Sequence, residues 1–258
     1  MSAAPTLEIE GLEKSFDGFR AVNGVSFSVA KGEVVALIGP NGAGKTTMFN
    51  LINGQLEPDR GRVSFEGSDV TGFSPRALWR RGVARTFQIT AAFLSMSVRE
   101  NVAVGVMAAQ GGPWKWPGLF RRMPALEADE TRRLIADVGL DALSERVCAT
   151  LAYGDLKRVE LAIALAGTPR LLLMDEPTAG MAAAEREALM ALAVGAARAR
   201  GASILFTEHD MGVVFKHAKR VLVMSRGELI ASGAPDDIHK NPLVREVYLG
   251  ETVIEGGA

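Results

Sequence analysis

Gly39-Pro40-Asn41-Gly42-Ala43-Gly44-Lys45-Thr46 is the stretch from which the rest of this chain can be read. Its spacing is G-x-x-x-x-G-K-[ST], the pattern of a phosphate-binding loop. The flanks agree with that reading. Val34-Val35-Ala36-Leu37-Ile38 before it reads as a buried strand, and Thr47-Met48-Phe49-Asn50-Leu51-Ile52 after it as the opening of a helix. A strand, a glycine-rich turn and a helix N-terminus together make an anion site. Backbone N–H groups converge there and the helix dipole favours negative charge. Glycines let the backbone wrap closely around the anion, because they tolerate positive φ and carry no Cβ to collide with it. Lys45 is expected to bring a point charge to β- and γ-phosphates, and the hydroxyl of Thr46 to ligate Mg²⁺.

Bulk properties narrow the class. At 258 residues the chain can hold one large domain or two small ones. Hydrophobic residues at 48% and charged residues at 23% are ordinary for a soluble globular protein. A net charge of −1 argues against non-specific nucleic-acid binding, which needs a basic balance. The single cysteine, Cys148, excludes an intrachain disulfide and fits a reducing compartment. The first residues show no basic region followed by an apolar core, so a signal peptide is not expected. Apolar runs such as Leu161 to Met174 are interrupted, here by Thr168-Pro169-Arg170, and none reaches the ~20 residues that cross a bilayer. The expectation is a protein that is cytosolic or peripheral to a membrane.

Periodicity sets the organisation. Leu7-Glu8-Ile9-Glu10, Val25-Ser26-Phe27-Ser28-Val29 and Arg62-Val63-Ser64-Phe65-Glu66 alternate, which predicts half-buried, antiparallel strands. The strand before the phosphate loop is continuously apolar, as are Leu171-Leu172-Leu173-Met174 and Ile204-Leu205-Phe206. Such runs suit core strands buried on both faces. A helical pattern from Glu185 to Arg200, closed by Gly201, lies between the last two, and strand–helix–strand predicts a parallel α/β core. Residues from about Ile89 to Thr150 are rich in Ala, Leu, Glu and Arg without strand signal, which suggests an inserted helical subdomain. Gln110 to Pro124 reads as a loop.

Leu171-Leu172-Leu173-Met174-Asp175-Glu176 is an apolar strand ending in two carboxylates. Beside a phosphate loop, the first acid can hold Mg²⁺ and the second can polarise an attacking water. Phosphoryl transfer needs positioning and charge neutralisation more than covalent help. Asp175 is the metal-side candidate and Glu176 the general-base candidate.

With these motifs in place, the chain resembles the ATP-binding subunits of ABC transporters. Leu151-Ala152-Tyr153-Gly154-Asp155 stands at the family's signature position, Gln88 in Arg85-Thr86-Phe87-Gln88 at its glutamine loop, and His209 in Thr207-Glu208-His209-Asp210 at its switch histidine. Phe16 sits where the family places an aromatic against adenine. The resemblance implies an α/β fold, with a P-loop NTPase core, an antiparallel β subdomain and an inserted helical subdomain. It implies one ABC ATPase domain over residues 1–258, a helical subdomain over about 89–155 and a C-terminal helical extension over about 235–258. ATP would be held by Phe16, by residues 39–46 with Thr47, and by the signature residues Leu151, Ala152, Tyr153 and Gly154 across a dimer. Mg²⁺ would be met by Thr46, Gln88 and Asp175, and catalysis would rest on Glu176, His209 and Gln88. His209 can hydrogen-bond a γ-phosphate oxygen and hold the water in line. Gln88 can report nucleotide state to a partner.

The likeness narrows further. Tyr153 in place of the usual first signature glycine, an insertion around Trp114 and the ending Val247-Tyr248-Leu249-Gly250-Glu251 look like one of the paired ATPases of branched-chain amino acid importers. That implies a second, different ATPase subunit, integral-membrane permease subunits, an indirect link to a solute-binding protein, and a place on the cytoplasmic face of the inner membrane. Ala152 removes the signature serine hydroxyl, Asp155 replaces Gln or Glu, and Ala182 in Ala179-Gly180-Met181-Ala182 replaces Asp or Asn. These departures weaken this chain's contribution to its partner's site and favour a heterodimer. The Gly111–Met123 stretch, with Trp114, Trp116, Phe120, Arg121 and Arg122, suits a surface that meets a permease or headgroups, or a loop pinned by its tryptophans. Urea or amide import, lipid export and a non-transport ABC ATPase are the alternatives. A GTPase lacks its Asn-Lys-x-Asp motif here.

Overall fold

The computed structural model describes residues 4–86, 92–110 and 129–247. Two sheets share the chain. The smaller is antiparallel: β1 (Leu7–Phe16), β2 (Phe19–Val29), β4 (Arg60–Phe65) and β5 (Ser68–Asp69), in the order β2-β1-β4-β5. The larger contains β3 (Val34–Ile38), β6 (Val83–Thr86), β7 (Leu171–Asp175), β8 (Ser203–Thr207), β9 (Arg220–Ser225) and β10 (Glu228–Gly233), in the order β10-β9-β3-β8-β7-β6. Its strands from β9 to β6 run parallel, and only edge strand β10 is antiparallel.

The two kinds of apolar pattern have one cause. Side chains alternate between sheet faces, so a strand covered on both faces has no polar position to spare. In β3, Val35 and Leu37 enter a core shared with the antiparallel sheet, while Ala36 and Ile38 enter a second core against the helices. Strand β7 divides in the same way, with Leu171 and Leu173 on one side and Leu172 and Met174 on the other. The antiparallel strands have one covered face, so Leu7 and Ile9 are buried and Glu10 is exposed.

Both β1 and β2 run well beyond the alternating segments in the sequence. Register shifts between Ile9 and Leu12, and again near Lys14, break the period while the pairing continues. An Asp17-Gly18 turn, with both residues at positive φ, joins the strands tightly. It brings Phe16 opposite Phe19.

Helix α1 (Lys45–Ile52) lies between the sheets, burying Met48, Phe49, Leu51 and Ile52. On the other face lie α5 (Tyr153–Ala166) and α6 (Ala183–Ala199), with α3 (Val98–Ala109) and α4 (Asp129–Asp137) packed on α5. Smaller helices among the described residues include α2 (Pro75–Arg81), α7 (Met211–His217) and α8 (Pro235–Lys240), the last followed by a helical turn over 242–247. Helix α3 opens on a reciprocal cap. Glu100 N donates to Ser97 Oγ at 3.2 Å, and Ser97 N donates to Glu100 Oε2 at 2.7 Å. Among the described residues no helix is long and apolar enough to cross a membrane. Gln88, the 111–123 stretch and residues beyond 247 lie outside the described residues.

Candidate functional site

The ends of three adjacent parallel strands build the site. In the order β3-β8-β7, the glycine-rich loop follows β3, Thr207 closes β8, and Asp175 closes β7. Crevices at the carboxyl ends of parallel strands are where α/β sheets collect ligands. Glycine at positions 39 and 44 is a packing requirement. A Cβ on Gly39 would lie 2.2 Å from the Met224 carbonyl oxygen, and one on Gly44 would lie 2.3 Å from that of Ala21. The loop is therefore pressed against the ends of β9 and β2, and Gly44 caps α1 with φ near 99°. Lys45 and Thr46 fall in the first turn of α1, at the positive end of the helix dipole. The Lys45 ammonium donates to the carbonyls of Gly39 and Pro40 at 2.6 and 2.9 Å, which draws it over the loop.

A cleft of about 330 Å³ opens over this loop. It gathers Asn41, Gly42, Ala43, Gly44, Lys45, Thr46 and Thr47 with Phe16, Phe19, Ala21 and Glu176. Phe16 and Phe19 are both exposed, at 42% and 64%. Lys14 Nζ stands 5.8 Å from the Phe16 ring centroid. The signature residues Leu151, Ala152, Tyr153 and Gly154 do not line this cleft. They sit at the start of α5, with Ala152 at its N-cap and the Tyr153 ring half out in solvent.

Each carboxylate of the β7 pair has its own environment. Asp175 is buried; Thr207 Oγ1 donates to its Oδ1 at 2.8 Å and Arg85 Nη2 to its Oδ2 at 2.8 Å. Glu176 stands just past the strand at φ 46°, a left-handed conformation rare for a residue with a Cβ. Its backbone N–H is held there by Thr207 Oγ1 at 3.0 Å and the Thr207 carbonyl at 3.2 Å. That turn brings Glu176 to the cleft, and its Oε1 meets His209 Nε2 at 2.8 Å. The segment bearing His209 is tied to the turn after β7. Thr178 donates from both N and Oγ1 to Glu208 Oε1, at 3.0 and 2.6 Å. Next along, Arg186 Nη1 reaches Asp210 Oδ2 at 2.5 Å, and Arg186 Nε donates to the Met181 carbonyl at 2.8 Å.

Phe16, the glycine loop, Glu176 and His209 thus come together from distant parts of the sequence. Asp175 lies beside them, facing Thr207 and Arg85. Sequence reading passed over Thr207, Arg85 and Phe19. A threonine ending an apolar strand, and an arginine ending Val83-Ala84, are visible signals. Their partners emerge only when β6, β7 and β8 are set side by side. Phe19 is visible as an aromatic across a two-residue Asp-Gly turn from Phe16.

The donors suit a hard cation. Thr46 and Asp175 offer oxygen alone, and Mg²⁺ takes one or two such protein groups with phosphate and water completing its shell. Among the described residues no group of three or more His, Cys, Asp or Glu would hold a metal without that help.

Known proteins resemble this chain in sequence and in fold. The ABC transporter family model matches residues 22–179, and a branched-chain amino acid ATP-binding cassette transporter model matches residues 228–254. The chain is 36% identical over 252 residues to the high-affinity branched-chain amino acid transport ATP-binding protein BraF of Pseudomonas aeruginosa, covering 96% of this chain and 98% of the relative. The LivG protein of Escherichia coli, described in the same words, is also 36% identical over 252 residues with the same coverage. Among solved structures, an ABC transporter cassette in its ADP conformation matches with a TM-score of 0.84 at 33% identity, covering 96% of this chain and 99% of that one. A nucleotide-free cassette matches with a TM-score of 0.82 at 32% identity, covering 95% and 99%.

Proposed function

This chain belongs to the ABC transporter family of ATP-binding subunits, and from that premise we propose how its own residues bind and hydrolyse ATP and what it serves. It is a nucleotide-binding ATPase subunit that works with membrane permease components. The cargo we assign is branched-chain or similar hydrophobic amino acids. Support comes from the names of BraF and LivG and from the match over residues 228–254.

In this reading the glycine loop and Lys45 hold the phosphates, and Phe16 offers a flat apolar face for the adenine. Phe19, opposite it, extends that wall. Thr46 and Asp175 would hold Mg²⁺, which when bound would neutralise charge on the phosphates. By resemblance to the family, Gln88 would join that shell. Glu176 orients the attacking water and takes its proton as oxygen closes on the γ-phosphorus, and the β–γ bridging bond breaks to ADP and phosphate. His209, with its proton on Nε2, donates to Glu176 and holds that carboxylate in register with the γ-phosphate. The observation that carries this assignment is the 2.8 Å contact of His209 with Glu176, which itself lines the loop cleft.

The signature residues stand away from this cleft, as they would if each ATP lay between one subunit's phosphate loop and another's signature. The alanines at 152 and 182 favour a partner that is a different ATPase chain, with the pair seated on the cytoplasmic face of the membrane. Glu176→Gln tests the catalytic assignment. It should keep ATP binding and lose at least about a hundredfold in turnover within the assembled complex, the scale of a positioned general base. Wild-type turnover in that variant would remove Glu176 from the role.

A further inference from the structure

Arg85 stands next to the last residue of β6, the edge strand paired with β7. Its guanidinium donates from both terminal nitrogens, while the buried Nε has no hydrogen-bond partner among the described residues. Nη2 donates to Asp175 Oδ2 at 2.8 Å, while Nη1 donates to Asn50 Oδ1 at 2.7 Å and to Gln55 Oε1 at 3.0 Å. These acceptors belong to three separate pieces of the fold: β7, helix α1 behind the glycine loop, and the turn that follows α1. The side chain is 11% exposed and lies on the ring of Phe49, 5.9 Å from its centroid. It also lines a cleft of about 320 Å³ with Trp79, Glu160 and Ile163. Gln88 lies three residues past it in the sequence.

We propose that Arg85 is a positioning residue for the Asp175 carboxylate, holding it in the orientation that serves the cation and tying it to the glycine-loop helix. The proposal rests on the nucleotide-binding reading above. Thr207 occupies Oδ1 and Arg85 occupies Oδ2, so both oxygens are directed and each keeps a lone pair. A simple charge partner would need one bond. The planar fork instead reaches three acceptors at once, a task that lysine's point charge cannot perform. Hydrogen-bond partners of a ligating carboxylate typically change metal affinity by about 10–100-fold.

The test measures how strongly Mn²⁺ tightens binding of a non-hydrolysable ATP analogue to the full-length chain. Affinity is read with Mn²⁺ and again in EDTA, and the ratio isolates the cation's contribution from nucleotide binding. Arg85→Gln should lower that ratio on the order of tenfold while the EDTA affinity stays near wild type. In an Asp175→Asn background the same change should have no further effect on the ratio, because Arg85 acts through that carboxylate. Arg85→Lys keeps charge and reach but loses the fork, and should show a smaller drop. It carries the test if the glutamine variant does not fold. A ratio that is unchanged or raised, or that falls as much in the Asp175→Asn background, overturns the proposal. A wild-type chain that fails to bind the analogue at all overturns the nucleotide reading itself. Normal analogue binding with an unchanged ratio overturns only the role of Arg85.

Discussion

Lys45 and Glu176 carry their parts of the site in different ways. Lys45 is held by carbonyl oxygens of its own loop, so its ammonium is already drawn over the place where phosphate oxygens would sit. A charged hydrogen bond contributes about 1.5–3 kcal/mol, which corresponds to about 10–150-fold in affinity. Lys45→Ala should therefore weaken ATP binding by about that factor, read by equilibrium titration with a fluorescent analogue. Undiminished affinity would place the nucleotide elsewhere. Glu176 depends on backbone geometry as much as on chemistry. Its φ of 46° is sustained by Thr207, which also orients Asp175. One threonine at the end of β8 thus sets the direction of both acids of the β7 pair. The acids themselves were legible as an apolar run ending in Asp-Glu. Thr207 was not, because its function depends on a neighbouring strand.

At the level of single elements, helix ends divide the structural from the functional. Helix α3 begins with the Ser97–Glu100 reciprocal cap, far in sequence from the glycine loop. Ser97→Ala should lower stability by about 1 kcal/mol, the usual loss of an N-cap hydroxyl, with analogue binding unchanged. Urea midpoints of the two proteins, read beside a binding assay, decide it; a loss of binding would show that α3 reaches further than its cap. Helices α5 and α6 start differently. Ala152 and Ala182 occupy their N-caps and supply no side-chain acceptor. In α6, Glu185 Oε2 still receives the Ala182 N–H at 3.3 Å. The strands of the parallel sheet were readable from continuous apolar runs, and α6 from its helical period and closing Gly201. Strands β6, β9 and β10 were not singled out. Val83-Ala84-Arg85-Thr86 is too short and mixed to declare itself, and it becomes a strand because β7 offers it an edge.

The whole molecule is closed by contacts between segments remote in sequence. Glu33, just before β3, grips Arg220 at the start of β9: Arg220 Nε donates to Oε1 at 2.8 Å and Nη2 to Oε2 at 3.0 Å. Arg220 Nη2 also donates to the Ser28 carbonyl at 2.5 Å, which brings in the end of β2. Burial pushes the Glu33 carboxyl up, but bonds from Arg220 and the Ala30 amide, with the charges of Arg220 and Lys219, outweigh it and hold it below the usual range. A depressed folded pKa means that the unfolded chain takes up the proton first as pH falls. The clamp's contribution is therefore complete above the ordinary glutamate value of about 4.3 and is lost as pH drops through the lower folded value. Glu33→Gln should be less stable than wild type at pH 7, and the difference should shrink as pH falls toward 4 and below. Denaturation midpoints across that range check it; a gap that stays constant would exclude the clamp as the cause. At the same scale, the purified chain should be largely monomeric with low ATPase activity, and a second, different ATPase subunit should raise that activity. Sedimentation of a stable, fully active homodimer with ATP would count against the unequal pair. The phosphate loop, the Asp175-Glu176 ending and the two kinds of strand were written locally, because glycine spacing and alternation act over a few residues. Nothing local could bring Phe16 and Phe19 to the loop, set Thr207 between Asp175 and Glu176, or carry Arg85 across to Asp175. Those juxtapositions depend on strand order, and strand order is chosen when both faces of the central sheet are buried at once.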